Sequence, residues 1–299
     1  MRAVWSFWSR PFEDRKNFGW NKPLHHLLAW GLSLRAAARH YPETVLITDR
    51  AGKKLLVDQL GLSFSHVSTE LERLQGADSD WWVLGKLMAY NIQDRPFVHL
   101  DTDVFLWKPL PPHLLQAPLF AQHPEYPGAH PTNCFGGPHE IEQSFASAGI
   151  ELPVEWQWAR SRDEDYFPQE NCGIIGGTQI EFIRYYSGLA LDLVLNPKHR
   201  PAWARLGDKR PYTVLVEQFL LAACAAYHRF HPVSPFRGIK IRHLFRGGGE
   251  AFDWQQAIQK GYTHLIGGTK SHPAVGRRIE ARVKQEDPVF FRMCEAFCN

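Results

Sequence analysis

The stretch Phe97-Val98-His99-Leu100-Asp101-Thr102-Asp103-Val104-Phe105-Leu106 constrains this chain more than any other. Phe97, Val98 and Leu100 form an apolar, β-prone run that stops on two carboxylates one residue apart before Val104 and Phe105 resume. That pattern predicts a buried strand ending at Asp101. Residues at i and i+2 of a strand face the same way. Asp101 and Asp103 are therefore expected to project together from the carboxyl edge of a parallel sheet, the edge at which open α/β sheets bind ligands. Two like charges so close need a cation between them. A hard divalent ion holding a diphosphate meets that need, because carboxylate and phosphate oxygens together complete an octahedral shell. The alternative is a capped strand end with two solvated acids.

The 299 residues, 44% hydrophobic and 22% charged, suffice for one large α/β domain or two small ones with a substantial core. A net charge of +3 with lysines and arginines scattered along the chain gives no sign of a nucleic-acid partner. An anionic small molecule fits as well. Met1 to Arg10 lacks a long apolar core, and no window reaches the roughly 18 uninterrupted apolar residues of a membrane span. The expectation is a soluble, cytoplasmic chain, with peripheral membrane contact left open. Cys134, Cys172, Cys224, Cys294 and Cys298 form neither a paired framework nor a C-x-x-C pattern, which favours reduced thiols.

In chain order, Ala3 to Trp8 predicts a first strand, with Trp5, Phe7 and Trp8 as core or base-facing aromatics. A helix over His25 to His40, a strand over Thr44 to Thr48, a helix over Lys53 to Leu60 and a strand over Phe64 to Val67 complete two βα units. Trp81 to Ile92 predicts a helix that carries Lys86 and feeds the acid strand. From 118 to 169 prolines, glycines, histidines and aromatics crowd together, which predicts an irregular binding loop or lid. His123, His130, Cys134 and His139 lie there in a spacing that matches no zinc pattern. Glu170 to Gly177 predicts another strand, with glycines where the backbone passes close to something bulky. Phe182 to Leu195 and Tyr212 to Tyr227 predict helices, the second carrying Glu217-Gln218 at its start, where an acid also serves as a plain cap. The basic connection 196–211 fits an acidic acceptor or a solvated loop. Ile239 to Leu244 is strand-like, Gly247-Gly248-Gly249 predicts a flexible joint, and Val275 to Phe297 predicts a polar helix in a C-terminal tail over 275–299.

Several of these segments resemble the GT-A glycosyltransferases, which move a sugar from a nucleotide diphosphate. The acid strand ending in Asp101-x-Asp103 is similar to their Asp-x-Asp strand, and Gly85-Lys86-Leu87 with Tyr90 resembles the helix preceding it in glycogenin-like members. Asn171-x-Gly173 is similar to their Asn-x-Gly strand. Glu217-Gln218 resembles the Asp-Gln pair of glycogenin-like and bacterial lipooligosaccharide galactosyltransferases, with glutamate in place of aspartate. His264-x-x-Gly267-x-x-Lys270 matches the C-terminal signature of family 8 glycosyltransferases.

The resemblance implies a single GT-A, Rossmann-like α/β domain over 1–299, with a mixed central sheet flanked by helices and with 118–169 on the acceptor side. It implies a metal-dependent transferase using a nucleotide-sugar donor, a UDP-sugar by family, and an unidentified glycan, peptide or small-molecule acceptor. Asp101, Asp103 and His264 would hold Mn2+ or Mg2+. Lys86, Asp101, Asn171, Gly267 and Lys270 would bind the donor, and Gln218 and Glu217 would be the catalytic pair. Fixed cations aimed at a departing diphosphate lower the barrier to its departure. The family points to retention of anomeric configuration; inversion would need Glu217, Asp163 or Asp165 as base. A metal-dependent phosphohydrolase and a non-catalytic carbohydrate-binding relative are the alternative readings of the same residues.

Overall fold

The structure, a computed structural model, describes residues 1–15, 19–126, 137–162 and 167–298. Its strands in chain order are β1 (Arg2–Phe7), β2 (Thr44–Thr48), β3 (His66–Ser68), β4 (Phe97–Leu100), β5 (Val104–Leu106), β6 (Leu119–Ala121), β7 (Pro124–Glu125), β8 (Gln169–Glu170), β9 (Ile174–Gly177), β10 (Ile241–His243) and β11 (Tyr262–His264). Seven of them form one mixed sheet in the order β10-β6-β9-β4-β1-β2-β3. β3, β2, β1 and β4 run parallel to one another, and β9 is antiparallel to both β4 and β6.

β1 shows why the sheet is buried on both faces. Ala3, Trp5 and Phe7 pack into the core on one side, whereas Val4 and the following Trp8 pack into the core on the other, as a period of two requires. Helices cover both layers, so the inner strands carry apolar residues throughout. Pro23–Ala38, Pro273–Glu286 and Pro288–Cys298 supply one face, and Leu84–Asn91, Ile180–Leu195 and Leu220–Phe230 the other. From β1 the chain crosses to β2 and β3 on one side, then returns to place β4 on the other. The carboxyl ends of β1 and β4 thus flank a topological switch point, where an open α/β sheet leaves a crevice.

Several expected elements differ. The 118–169 segment is not irregular throughout: β6 is an inner strand of the sheet, and Pro138–Ser147 and Val154–Arg162 are helices. A three-residue strand between prolines gives no alternation to read. The C-terminal segment is two helices, broken at Asp287-Pro288, because proline cannot continue a helix but suits its first turn. Phe290, Phe291 and Cys294 are buried against Pro23–Ala38, so this part is core rather than a polar tail. Gly248 and Gly249 open a short helical turn, Gly248–Ala251, in place of the expected joint. The helix expected from Lys53 begins at Arg50, capped by Asp49, whose side chain accepts from Gly52 N at 2.7 Å. His130, Cys134, Asp163 and Asp165 lie outside the described residues. Among the described residues, no helix is long and apolar enough to cross a membrane.

Candidate active site

Asp101 and Asp103 share a face for a different reason than strand pleating. β4 stops at Leu100, and the two acids occupy a turn closed by Val104 N donating to Asp101 O at 3.0 Å. The chain then enters β5, which pairs antiparallel with β11, setting His264 opposite Val104. Leu265 N donates to Asp103 O at 3.1 Å and fixes this register at the acid itself. One ligand atom each from Asp101, Asp103 and His264 lies within 4.8 Å of the others, although the imidazole is more than 160 residues away in sequence. The His264 Nε2 to Asp103 Oδ1 separation is 3.4 Å. Neighbouring ligands of an octahedral Mg2+-like ion at about 2.1 Å lie roughly 3 Å apart, so these groups fit one divalent cation. Two carboxylates and one imidazole are a mixed oxygen and nitrogen donor set that a divalent metal ion can take.

The imidazole is aimed by its surroundings. His264 Nδ1 lies 2.7 Å from Gln122 Oε1, which also accepts from Tyr262 Oη at 2.6 Å. With an amide oxygen facing it, Nδ1 is the donor, which leaves Nε2 as the nitrogen turned toward the acids and available to a metal. Gly173 makes room: a Cβ there would stand 2.4 Å from both Gln122 Oε1 and His264 Nδ1.

Each acid has its own lysine. Lys86 is held on Leu84–Asn91 in the floor of the site, where Nζ donates to Asp101 Oδ2 at 3.1 Å and to the Cys172 carbonyl at 3.2 Å and forms ion pairs of 2.9 Å with Asp101 Oδ1 and Glu217 Oε1. Burial opposes its charge, but Asp101 and Glu217 outweigh that and hold the ammonium well above the usual lysine range. Lys270 Nζ donates to Asp103 Oδ2 at 2.7 Å. Burial would raise the Asp103 carboxyl, yet Lys270 and then His264 hold it well below the usual carboxylate range. Asp101 goes the other way: burial raises it, Lys86 pulls it back and Asp103 adds repulsion. Glu217 is likewise raised by burial, against the pull of Lys86. Three carboxylates therefore face two ammonium groups, an excess of negative charge that a divalent ion converts to a positive one.

Beside the acids opens a cleft of about 750 Å³, counting its mouth, at the switch point between β1 and β4. Trp8, Trp20, Trp30 and Trp82 line it together with Lys86, Asp101, Asp103 and Lys270. His26 and His99 face it as neutral imidazoles. Burial, then Lys270, lowers His26 to about 3 despite Asp103, and burial with Lys86 lowers His99 well below the usual range. Flat aromatic walls running into cationic and acidic groups are what a nucleotide offers partners for, base at one end and phosphates at the other.

The structure brings Lys86, Asp101, Asp103, His264, Lys270 and Glu217 into one cluster. Glu217 does not start a helix: it lies in a wide turn, Leu215–Phe219, that continues directly into Leu220–Phe230. It is fully buried, accepting from Tyr90 Oη at 2.8 Å and lying 2.9 Å from Lys86 Nζ, so the residue expected in the catalytic pair, or else as a plain cap, anchors the lysine. Gln218 is half-buried and its Oε1 accepts no hydrogen bond among the described residues. The Asn171 amide is engaged inside the protein: Nδ2 donates to Glu125 Oε1 at 2.7 Å and Oδ1 accepts from Gly173 N at 3.0 Å. Gly267 has φ +54°, a left-handed turn that favours glycine, with open space where a Cβ would stand. Trp8 was expected as a core or base-facing aromatic, whereas Gln122, Glu125, His26, Trp20 and Trp30 escaped the sequence reading. Tyr262 was accessible to it, since on one strand it faces the same way as His264.

The model of a family of unknown function, DUF6734, matches residues 1–296. No curated protein matches the chain significantly. Among solved structures, the galactosyltransferase LgtC in complex with donor and acceptor sugar analogues matches over 99% of this chain and 96% of its own, at 12% identity and a TM-score of 0.43.

Proposed function

The chain belongs to this family of unknown function, DUF6734, and from the site it carries we propose that it is a metal-dependent glycosyltransferase of GT-A type, taking a sugar from a nucleotide diphosphate, most simply a UDP-sugar, to a hydroxyl-bearing acceptor. One observation carries this reading: Asp101, Asp103 and His264 meet around one point beside an aromatic cleft, with a lysine at each acid. Structural acids need no shared imidazole with a fixed tautomer, and a plain core needs no excess carboxylate.

Asp101, Asp103 and His264 Nε2 would hold Mn2+ or Mg2+. When bound, the ion supplies a Lewis acid that neutralises charge on the leaving diphosphate. The chain's own contributions follow from the geometry. The tryptophan-lined cleft receives the base and keeps water off one side of the donor. Lys270 and the Gly267 turn bring positive charge to the phosphates as the glycosidic bond lengthens. Lys86, anchored by Glu217, opposes the effect of burial on Asp101 and holds it in place, so Glu217 acts through the lysine as a positioning residue. The Gln218 Oε1, which accepts no hydrogen bond among the described residues, is assigned to the donor sugar, and Asn171 braces Gly173 and Glu125. Because Glu217 is fully buried behind Lys86, no acceptor proton is routed to it, which favours retention of anomeric configuration.

Thermal unfolding in the presence of nucleotide sugars tests the reading. A ligand at 100 times its Kd stabilises the fold by about 2.7 kcal/mol. A UDP-sugar with Mn2+ is expected to raise Tm by several degrees, neither alone doing as much, and Asp101→Asn or Asp103→Asn to abolish the gain. Equal shifts in wild type and both variants would contradict the proposal.

A further inference from the structure

The two lysines of the site differ in a way that bears on how a cation could enter. Lys86 is locked by three acceptors with its side chain 9% exposed. Lys270 is 23% exposed, and Asp103 is its hydrogen-bond partner among the described residues. It sits on a short turn, Gly267–Ser271, with open space beside Gly267 and Gly268, so little packing holds it. Its ammonium nonetheless occupies Oδ2 of a carboxylate whose other oxygen faces His264 Nε2. An ammonium and a divalent ion on one carboxylate repel each other; Lys86 is held against that repulsion by Glu217 and the Cys172 carbonyl, whereas the more exposed Lys270 is held by Asp103.

We propose that Lys270 competes with the divalent cation for Asp103, and that a nucleoside diphosphate relieves the competition by drawing the ammonium onto its own phosphates. The proposal rests on the metal-dependent reading above. Phosphate oxygens offer Lys270 charge-assisted hydrogen bonds that replace the one it gives up, and the open space beside its turn leaves room for the move. Cation and nucleotide then promote each other's binding, and by linkage the factor is the same in either direction. The device keeps the site from holding the ion tightly when there is no donor to activate.

Binding of Mn2+ is measured by the electron paramagnetic resonance signal of the uncomplexed ion, with and without UDP, in the absence of turnover. Lys270→Met is expected to bind Mn2+ alone at least tenfold more tightly than wild type, and the enhancement by UDP to shrink at least fivefold. Lys270→Arg, which keeps the charge, is expected to behave as wild type. A Lys270→Met protein that binds Mn2+ no more tightly, or that retains the full UDP enhancement, overturns the competition while leaving the metal site standing. Mn2+ binding that is unchanged in Asp101→Asn overturns the metal reading itself, and the competition with it. Circular dichroism establishes that each variant is folded.

Discussion

A single hydrogen atom at residue 173 decides whether His264 can reach the acids. The contact is so close that a methyl group there would overlap the imidazole and the Gln122 amide. Gly173→Ala is expected to cost about 1–3 kcal/mol of stability through overpacking and to weaken Mn2+ binding at least tenfold, because the ring must swing off its line to Asp103. Isothermal titration with Mn2+ checks it; unchanged affinity would mean that the ring's placement does not matter. Glu217 gives a second residue-level test. Burial raises its carboxyl above the ordinary value of 4.5, so the folded state holds this proton more tightly than the unfolded chain does. Its favourable contribution is therefore present below that ordinary value and is lost as pH rises through the raised one. Glu217→Gln cannot titrate, so the stability of wild type relative to the variant is expected to fall from about pH 4.5 upward and then level off, measured by urea unfolding at stepped pH. Parallel curves would contradict the assignment. At this scale the pairing of the two acids could be read from their spacing, whereas His264 and Lys270 were linked to them through the resemblance of their motif. Gln122 was not, since nothing marks one glutamine as the partner of an imidazole 142 positions away.

Among elements, the second C-terminal helix shows where patterning misleads. Its neighbour Pro273–Glu286 carries Arg277, Arg278, Arg282 and Lys284, and read as one helix the pair looks solvated. The break at Asp287-Pro288 restarts the rotation and turns Phe290 and Phe291 inward onto Pro23–Ala38. Gly31 is the seat of that contact, for a Cβ there would lie 2.2 Å from the Phe290 ring. Gly31→Ala is expected to lower stability by about 1–3 kcal/mol by chemical denaturation, with Mn2+ affinity of the folded protein within twofold of wild type. A larger loss of affinity than of stability would mean that this helix layer is coupled to the site. The strands β1, β2 and β4 were readable as apolar runs. β6 and the wide turn at Glu217 were not, because three residues show no period and a turn with one extra residue leaves no trace in composition.

Over the whole molecule, the strand order does what no local pattern announces. Crossing to β2 and then back to β4 opens the crevice, and the β5–β11 pair carries the chain's last quarter to its rim. The order of the segments was visible in the sequence; their meeting point was not, because it depends on two strands of three residues each. The central claim is that this meeting point is a metal site. The direct measurement is an anomalous-difference map from crystals grown with Mn2+ and UDP. The account predicts one strong peak about 2.1–2.3 Å from oxygens of Asp101 and Asp103 and from His264 Nε2, with the diphosphate completing its shell. A map with no peak there, or a UDP molecule bound away from these three residues, would contradict it.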